Sequence, residues 1–352
     1  MKLVIELGKV SSGGGERILD TLVRSFHDYG HEVVLFSWNP EWETFKGFPF
    51  PIEIHILKKI PYWGKGIASA IEYNRVLKQV KPHAILAFLA PSLRVSLLCA
   101  KLQGVPIITS LRVAPEFKSV IEKLEKRMLM ACEGIVFQTK DVQECFSKKT
   151  IQKSVVIPNM LMDNNLPAPS NCIKKEIVGI GRLSEQKNFK LLIDAFSEIN
   201  TGEYVLKIYG EGPLRDCLDN QIKHLKLENR VFLMGRVNRV VDYIKDSDIF
   251  VLSSDWEGMP NALMESMAMG LACVATDVST GGSRALIDNG NNGILVPVGD
   301  KESMKKAMSM LISDEDFRKK IKTEAIRIRQ SNSKEIIIPQ WLKFIESIVR
   351  LP

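Results

Sequence analysis

Two glutamates eight residues apart, Glu257 and Glu265, and two cations five apart, Arg182 and Lys187, could do chemistry by their types and spacing. Proline suits the opening position of a helix, where its missing N–H is not needed, so the sequence predicts a helix starting at about Pro260. That leaves the amides of the preceding loop and the first turn free to hold an anion. An acid near a helix N-terminus can also serve only the helix dipole. This plain alternative accounts for Glu257 but not well for Glu265, which lies past the first turn among Leu263, Met264, Met267 and Met269. A carboxylate in such apolar company usually has a partner or a ligand. Arg182 leaves a predicted strand end, and Lys187 precedes a helix that Asn188 can cap. Two cations at a strand's carboxyl edge match a diphosphate, each neutralising one phosphoryl group, although a solvated basic loop fits the same residues. Cations for a diphosphate, one carboxylate for a ribose diol and another for sugar hydroxyls together describe a nucleotide-sugar site.

The elements that must position these groups alternate along the chain. Leu3–Leu7 reads as a strand running into the glycine-rich loop Ser11–Gly15. Ile18, Leu19, Leu22, Val23 and Phe26 then recur at one-sided helical spacing up to Gly30. Glu32–Ser37, Ala84–Leu89, Val105–Ser110 and Gly134–Gln138 are further strands, with helices over Ile67–Val80, Ser92–Leu102 and around Phe117–Cys132. After Pro158-Asn159 the stretch MLMDNNLPAPSN crowds proline, asparagine and aspartate, the best candidate for a linker. The alternation then restarts with strands at Glu176–Gly181, Tyr204–Tyr209, Val231–Met234, Ile249–Leu252 and Ala272–Ala275. Short buried strands between amphipathic helices make parallel sheets covered on both faces. The expected architecture is α/β, two doubly wound domains with a cleft between them. Residues 1–165 and 166–332 form the two domains, and a helix over 333–352 could return to the first. Ligands bind at the carboxyl ends of strands in such sheets.

A chain of 352 residues is too long for one ordinary core. No apolar run approaches the ~20 residues that span a bilayer, and MKLVIEL is too short and acidic for a signal peptide. Six scattered cysteines, with no C-x-x-C, read as reduced thiols of a cytoplasmic protein and argue against zinc. Residues 1–165 carry 22 Lys and Arg against 16 Asp and Glu, six of the chain's net +7, so this half is expected to meet something anionic. Trp38, Trp42, Phe45, Phe48, Phe50, Tyr62 and Trp63, interleaved with Lys46, Lys58, Lys59 and Lys65, would suit the surface of an anionic bilayer. Aromatics packed under a long loop are the plain alternative. No nucleic-acid-binding module is recognisable. The loop Gly8–Gly15 lacks the Gly-Lys-Ser/Thr of an NTPase. Gly179-Ile-Gly181 and Gly210-Glu-Gly212 lack the third glycine of a dinucleotide fingerprint, which disfavours an NAD enzyme.

Taken in order, SGGGER (12–17), VIPN (156–159), GIGRLSEQKNF (179–189), IYGEGPL (208–214), SSDWEGMPNALMESMAMG (253–270) and GGSRALIDNGNNGILVPVGD (281–300) resemble the retaining glycosyltransferases of family 4, with the GT-B fold. The resemblance covers nearly the whole chain. It implies a C-terminal domain that holds a nucleotide sugar, expected to be UDP-linked, and an N-terminal domain that holds the acceptor. It implies that Arg182 and Lys187 hold the diphosphate, Glu265 the ribose and Glu257 the transferred sugar. Gly181, Gly258, Met259, Pro260, Asn261, Ala262 and Leu263 would line the donor site, and Gly14 and Gly15 would approach the diphosphate from the other domain. It implies no cofactor and no divalent metal, the cations supplying the electrostatics. Many members carry a histidine where this chain reads Ser110-Leu111-Arg112, so Arg112 is the candidate acceptor-side residue. A subgroup with arginine there, in bacterial surface-polysaccharide assembly, is more similar, and its acceptors include lipid-linked glycans at the inner face of the membrane. A nucleotide-sugar epimerase of the same fold and a non-catalytic nucleotide-sugar-binding subunit are the alternatives.

Overall fold

Along β1 (Lys2–Leu7) side chains alternate between two apolar surroundings, as strand geometry requires. Leu3 and Ile5 join one buried cluster, and Val4 joins another on the opposite face. In the computed structural model, which describes residues 1–7, 14–38, 48–57, 65–88, 93–111, 126–162, 166–170, 173–200 and 202–349, this strand is central to the first of two compact units. That unit comprises Met1–Met162 with Lys334–Pro352, and the second comprises Asp163–Ser333.

The first unit's sheet is parallel. Its strands are β1, β2 (Glu32–Ser37), β3 (Glu53–Ile56), β4 (Ala84–Phe88), β5 (Ile107–Leu111), β6 (Gly134–Phe137) and β7 (Ser154–Val156). Their spatial order is β3-β2-β1-β4-β5-β6-β7. Helix α1 (Gly14–Asp28) lays Ile18, Leu19, Leu22, Val23 and Phe26 on one face. It stops at Gly30, whose φ of 78° lets the His31 amide reach back to the Phe26 carbonyl at 3.0 Å. Helices α2 (Lys65–Val80) and α3 (Leu93–Gln103) cover the other face, burying Tyr73, Leu77 and Leu97. The helix Lys334–Ile348 returns to the first unit, where Ile337, Ile338, Trp341, Leu342 and Ile345 share the α1-side core. It packs so tightly that a Cβ on Gly134 would lie 2.3 Å from Ile348 Cδ1.

At the centre of this sheet Glu6 is fully buried. It accepts hydrogen bonds from the Tyr73 hydroxyl, from Ser96 Oγ at 2.6 Å and from Trp38 Nε1 at 3.2 Å. Trp38 also packs on Phe36 and Tyr73, Phe50 stacks on His27, and Phe48 lies under Arg24. These three members of the aromatic stretch are therefore partly buried and pack against the unit's own core. Trp42, Phe45, Tyr62, Trp63, Lys46, Lys58 and Lys59 lie outside the described residues, as do Arg112 and most of the helix expected around Phe117–Cys132.

The second unit has a six-stranded parallel sheet. Its strands are β8 (Lys174–Ile180), β9 (Val205–Tyr209), β10 (Val231–Gly235), β11 (Ser247–Leu252), β12 (Ala272–Thr276) and β13 (Ile294–Val296). The order is β10-β9-β8-β11-β12-β13, so successive strands first run outward from β8 and then resume on its other side. β8 and β11 are thus neighbours across the point where the winding reverses, the place where doubly wound sheets open a crevice at their carboxyl ends. The unit is tied internally by buried Asp248 on β11, which accepts from Tyr204 at 2.5 Å and pairs with Arg318 at 3.0 Å and Lys322 at 2.8 Å. Those two cations fasten the helix Glu315–Ala325 to the sheet.

Candidate functional site

The residues after β8 and β11 are laced together across that reversal. The Asp255 amide donates to the Gln186 carbonyl at 2.9 Å, and Gln186 Nε2 donates to the Trp256 carbonyl at 2.8 Å. Ser253 Oγ donates to the Lys187 carbonyl and Asn188 Nδ2 to Asp255 Oδ1, each at 2.8 Å. A 3₁₀ turn (Glu185–Lys187) carries the β8 side of this lattice. Asn188 ends it in the left-handed region (φ 43°) while its Oδ1 accepts from the Leu191 amide at 3.2 Å, capping the helix Phe189–Ser197.

On this scaffold Lys187 Nζ lies 2.5 Å from Glu257 Oε1, with side-chain exposures of 17% and 12%. Ser254 Oγ donates to the same carboxylate oxygen at 2.8 Å. The cation expected to meet a diphosphate and the carboxylate expected to meet a sugar are therefore ion-paired. An ammonium has three protons to donate, so the pair still offers Lys187 to a second acceptor. The stem of Lys187 lies along Gly181, where a Cβ would come within 2.8 Å of Lys187 Cε. Arg182 is exposed, and no carboxylate among the described residues pairs with it.

The helix after β11 runs Asn261–Ala268 with Pro260 as its N-cap (φ −79°, ψ 108°). Proline thus stands one residue before the helical position expected for it. Its side chain cannot accept a hydrogen bond, so no side-chain cap covers the first turn of amides. Glu265 lies on the helix's second turn and is 5% exposed, buried as its apolar neighbours indicated. At the other end Arg329 donates to the Ala268 carbonyl at 2.6 Å and to the Leu166 and Pro167 carbonyls, placing a cation where the helix dipole is negative. Burial lowers the pKa of that guanidinium.

Gly258 is held from behind by the turn Val278–Ser283. Thr280 Oγ1 donates to the Gly258 carbonyl at 3.4 Å, and a Cβ on Gly282 would lie 1.8 Å from that oxygen. Gly181 is held likewise by Gly210, whose own Cβ would strike the Gly181 carbonyl. The two G-x-G segments thus pack on each other as paired strand ends. The structure brings Gly181, Lys187, Glu257, Gly258, Met259, Pro260, Asn261, Ala262, Leu263 and Glu265 onto neighbouring elements, with Arg182 beside them. Gly14 and Gly15 belong to the first unit and form the first turn of α1. Sequence reasoning missed Ser254, Gln186 and Asp255, although polar residues crowding both strand ends were a readable signal. Among the described residues no group of three or more His, Cys, Asp or Glu side chains could hold a metal, and no helix is long and apolar enough to cross a membrane.

With this geometry in place, likenesses to known proteins fall on both units. Residues 12–161 match the model of Glycosyltransferase Family 4, and residues 168–328 that of Glycosyl transferases group 1. The chain is 25% identical, over 97% of its length and 98% of the other, to the amylovoran biosynthesis glycosyltransferase AmsD of Erwinia amylovora. It is also 25% identical, over 99% of each chain, to the Campylobacter jejuni GalNAc-alpha-(1->4)-GalNAc-alpha-(1->3)-diNAcBac-PP-undecaprenol alpha-1,4-N-acetyl-D-galactosaminyltransferase. Among solved structures, HepE of Anabaena in complex with UDP and glucose superposes with a TM-score of 0.82 at 19% identity, covering 99% of this chain and all of the other.

Proposed function

The chain belongs to the GT-B glycosyltransferases, joining a family 4 domain to a group 1 domain, and from that premise we propose that it transfers a sugar, with retention, from a nucleotide donor to a lipid-linked glycan. The donor in this reading is a UDP-linked hexose or N-acetylhexosamine, and the product enters a bacterial surface polysaccharide. The observation that carries it is the paired Lys187 and Glu257 beside an uncapped helix N-terminus at the reversal point of the second sheet. The named activities of the Erwinia and Campylobacter relatives support the pathway and the acceptor class, and HepE bound to UDP and glucose supports the donor class.

In the proposed reaction the sugar–phosphate bond breaks and negative charge collects on the departing diphosphate. Arg182, Lys187 and the amides at the start of the Asn261–Ala268 helix stabilise that charge, so no protein acid need protonate the leaving group. Glu265 holds the ribose. Glu257, oriented by Lys187 and Ser254, positions sugar hydroxyls instead of attacking, and a departing phosphate oxygen takes the acceptor's proton. Two fixed cations make a divalent metal and any further cofactor unnecessary, so EDTA leaves turnover unchanged.

A thermal-shift panel of UDP-, GDP- and ADP-sugars tests the donor assignment, since a ligand that binds the folded chain raises its melting temperature by mass action. A UDP-sugar is expected to give the largest shift; a panel with no shift at millimolar concentration ends the reading. NMR of the product then tests stereochemistry, with an α-linked product expected from an α-linked donor.

A further inference from the structure

The carboxyl ends of β11, β12 and β13 enclose a groove of about 590 Å³ on the second unit. Asp255, two residues before Glu257, lines it on one side. Asp277, Ser279 and Asn289 add a second carboxylate, a hydroxyl and an amide, and Pro297 and Val298 give it apolar surface. Its walls are fixed by bonds between the strand ends. Thr276 Oγ1 donates to the Ser254 carbonyl at 2.6 Å, and the Asp277 amide donates to the Val296 carbonyl at 2.8 Å. Asn289 Oδ1 accepts from the Leu295 amide at 2.9 Å, so the edge strand β13 is held as well. A preformed hollow at strand carboxyl ends is where a doubly wound sheet takes a ligand.

The lining selects the chemistry. No lysine or arginine lines the groove, so it offers nothing to a phosphate. Nor is it built for a metal, since no group of three or more His, Cys, Asp or Glu side chains gathers among the described residues. Each carboxylate already accepts one N–H. Asp255 Oδ1 takes Asn188 Nδ2 at 2.8 Å, and Asp277 Oδ1 takes Arg284 Nε at 2.9 Å, where the guanidinium offsets its charge. What remains is acceptor capacity for neutral donors beside apolar surface. A pyranose ring meets that pattern, with hydroxyls around its rim and C–H bonds on its faces. Trp256 supplies an independent sign. Gln186 clamps its loop through the Asp255 amide and the Trp256 carbonyl, yet the Trp256 side chain is 50% exposed. Its indole meets no other ring, and its Nε1 no acceptor, among the described residues. An indole left in water forfeits the gain of burial, which the C–H face of a sugar restores while a hydroxyl meets the Nε1 proton. We infer that the groove and Trp256 form a second glycan subsite, taking a neutral hexose or N-acetylhexosamine unit outside the bond being made. This deepens the transferase reading, on which its biological use rests. It places a grip on the glycan in the second unit, whereas the family resemblance implies an acceptor held by the first.

Saturation-transfer NMR of the full chain tests it, with maltotriose and triacetylchitotriose as probes and saturating UDP present. At least one probe is expected to receive saturation at its C–H protons. Trp256→Ala is expected to weaken its Kd about tenfold, the loss of one aromatic contact, and Trp256→Phe to keep most of the binding. Val298→Arg, at a position 39% exposed, is expected to weaken it at least as much by filling the groove. All three variants are expected to keep the wild-type melting temperature and its shift by UDP. Probes that receive no saturation, or that bind Trp256→Ala and Val298→Arg as well as the wild type, overturn the proposal. So does calcium chloride that raises the melting temperature of the wild type but not of Asp277→Ala, which would make the groove a cation site. If groove-dependent sugar binding persists without UDP while no nucleotide sugar shifts the melting temperature, the transferase reading falls and the glycan subsite stands.

Discussion

Lys187 and Glu257 neutralise each other in a poorly exposed place, so replacing either one alters its partner as well. Removing one member of such a pair leaves a charge without its counterion, which costs stability in addition to any catalytic loss. Arg182, exposed and outside such a pair, is the cleaner probe. Arg182→Ala is expected to lower turnover about 10²–10³-fold with an unchanged melting temperature, the loss typical of one charge-stabilising group. Near-normal turnover in both Arg182→Ala and Lys187→Ala would remove the diphosphate assignment. Glu257→Gln is expected to lower turnover while UDP still shifts the melting temperature. A different residue sets a pH dependence. Burial raises the Glu6 carboxyl from 4.5 to about 6, outweighing the hydroxyl and indole donors that favour its charged form. The native state therefore holds this proton more tightly than the unfolded chain. Its contribution is full below pH 4.5 and is lost as the pH rises through about 6, a decline of about 2 kcal/mol by linkage. Urea midpoints of the first unit across pH 4 to 7 should show that decline in the wild type and lack it in Glu6→Gln; equal slopes would refute the assignment. The sequence shows Glu6 only as an acid in an apolar strand. Its donors come from residues 38, 73 and 96, which only the folded sheet brings together.

At the scale of elements most strands were readable because each is a short apolar run, and the ends of those expected differ from the observed ones by a residue or two; β3 (Glu53–Ile56), half polar and exposed, and the three-residue β13 (Ile294–Val296) were not read as strands. The cap at Asn188 was legible too, since its side chain acts on a residue three positions away. What could not be read is the lattice between Gln186–Asn188 and Ser253–Trp256, whose partners are separated by about 70 residues and meet only because β8 and β11 are adjacent. Pro260 shows the limit of local rules. Its lack of an N–H suits both the N-cap and the next position, and the ψ of 108° that selects the cap is set by how the loop packs. Asn188 allows a test of the scaffold without touching the charged groups. Asn188→Ala loses the cap and forces a Cβ-bearing residue without a polar side chain into φ 43°, together about 2 kcal/mol or about 5 °C in melting temperature. Asn188→Gly keeps the backbone relaxed and should lose less. A glycine variant as unstable as the alanine variant would show that the side-chain bond to Asp255, not the cap and backbone, carries the effect.

For the whole molecule, the decisive feature is that the first unit is made of two separated segments, Met1–Met162 and Lys334–Pro352. A helix over 333–352 that could return to the first domain was legible in the sequence. The residues that meet it there were not, because an apolar stripe reports that a helix is covered and not by what. Ile337, Ile338, Trp341, Leu342 and Ile345 enter the same cluster as Leu3, Ile5 and Phe26. At roughly 2 kcal/mol for each large side chain, this is about 10 kcal/mol, comparable to the net stability of an entire domain. A chain ending at Ser333 is expected to be insoluble, or to bind hydrophobic dyes with its first unit unfolded. A soluble 1–333 fragment with native near-ultraviolet circular dichroism would contradict this. The division also dictates a timetable during synthesis. The half made first is the half completed last, since its closing helix leaves the ribosome only after the whole of Asp163–Ser333. At roughly 5–20 residues per second that interval is on the order of ten seconds or more, during which part of the α1-side face of the nascent sheet stays uncovered and open to chaperones.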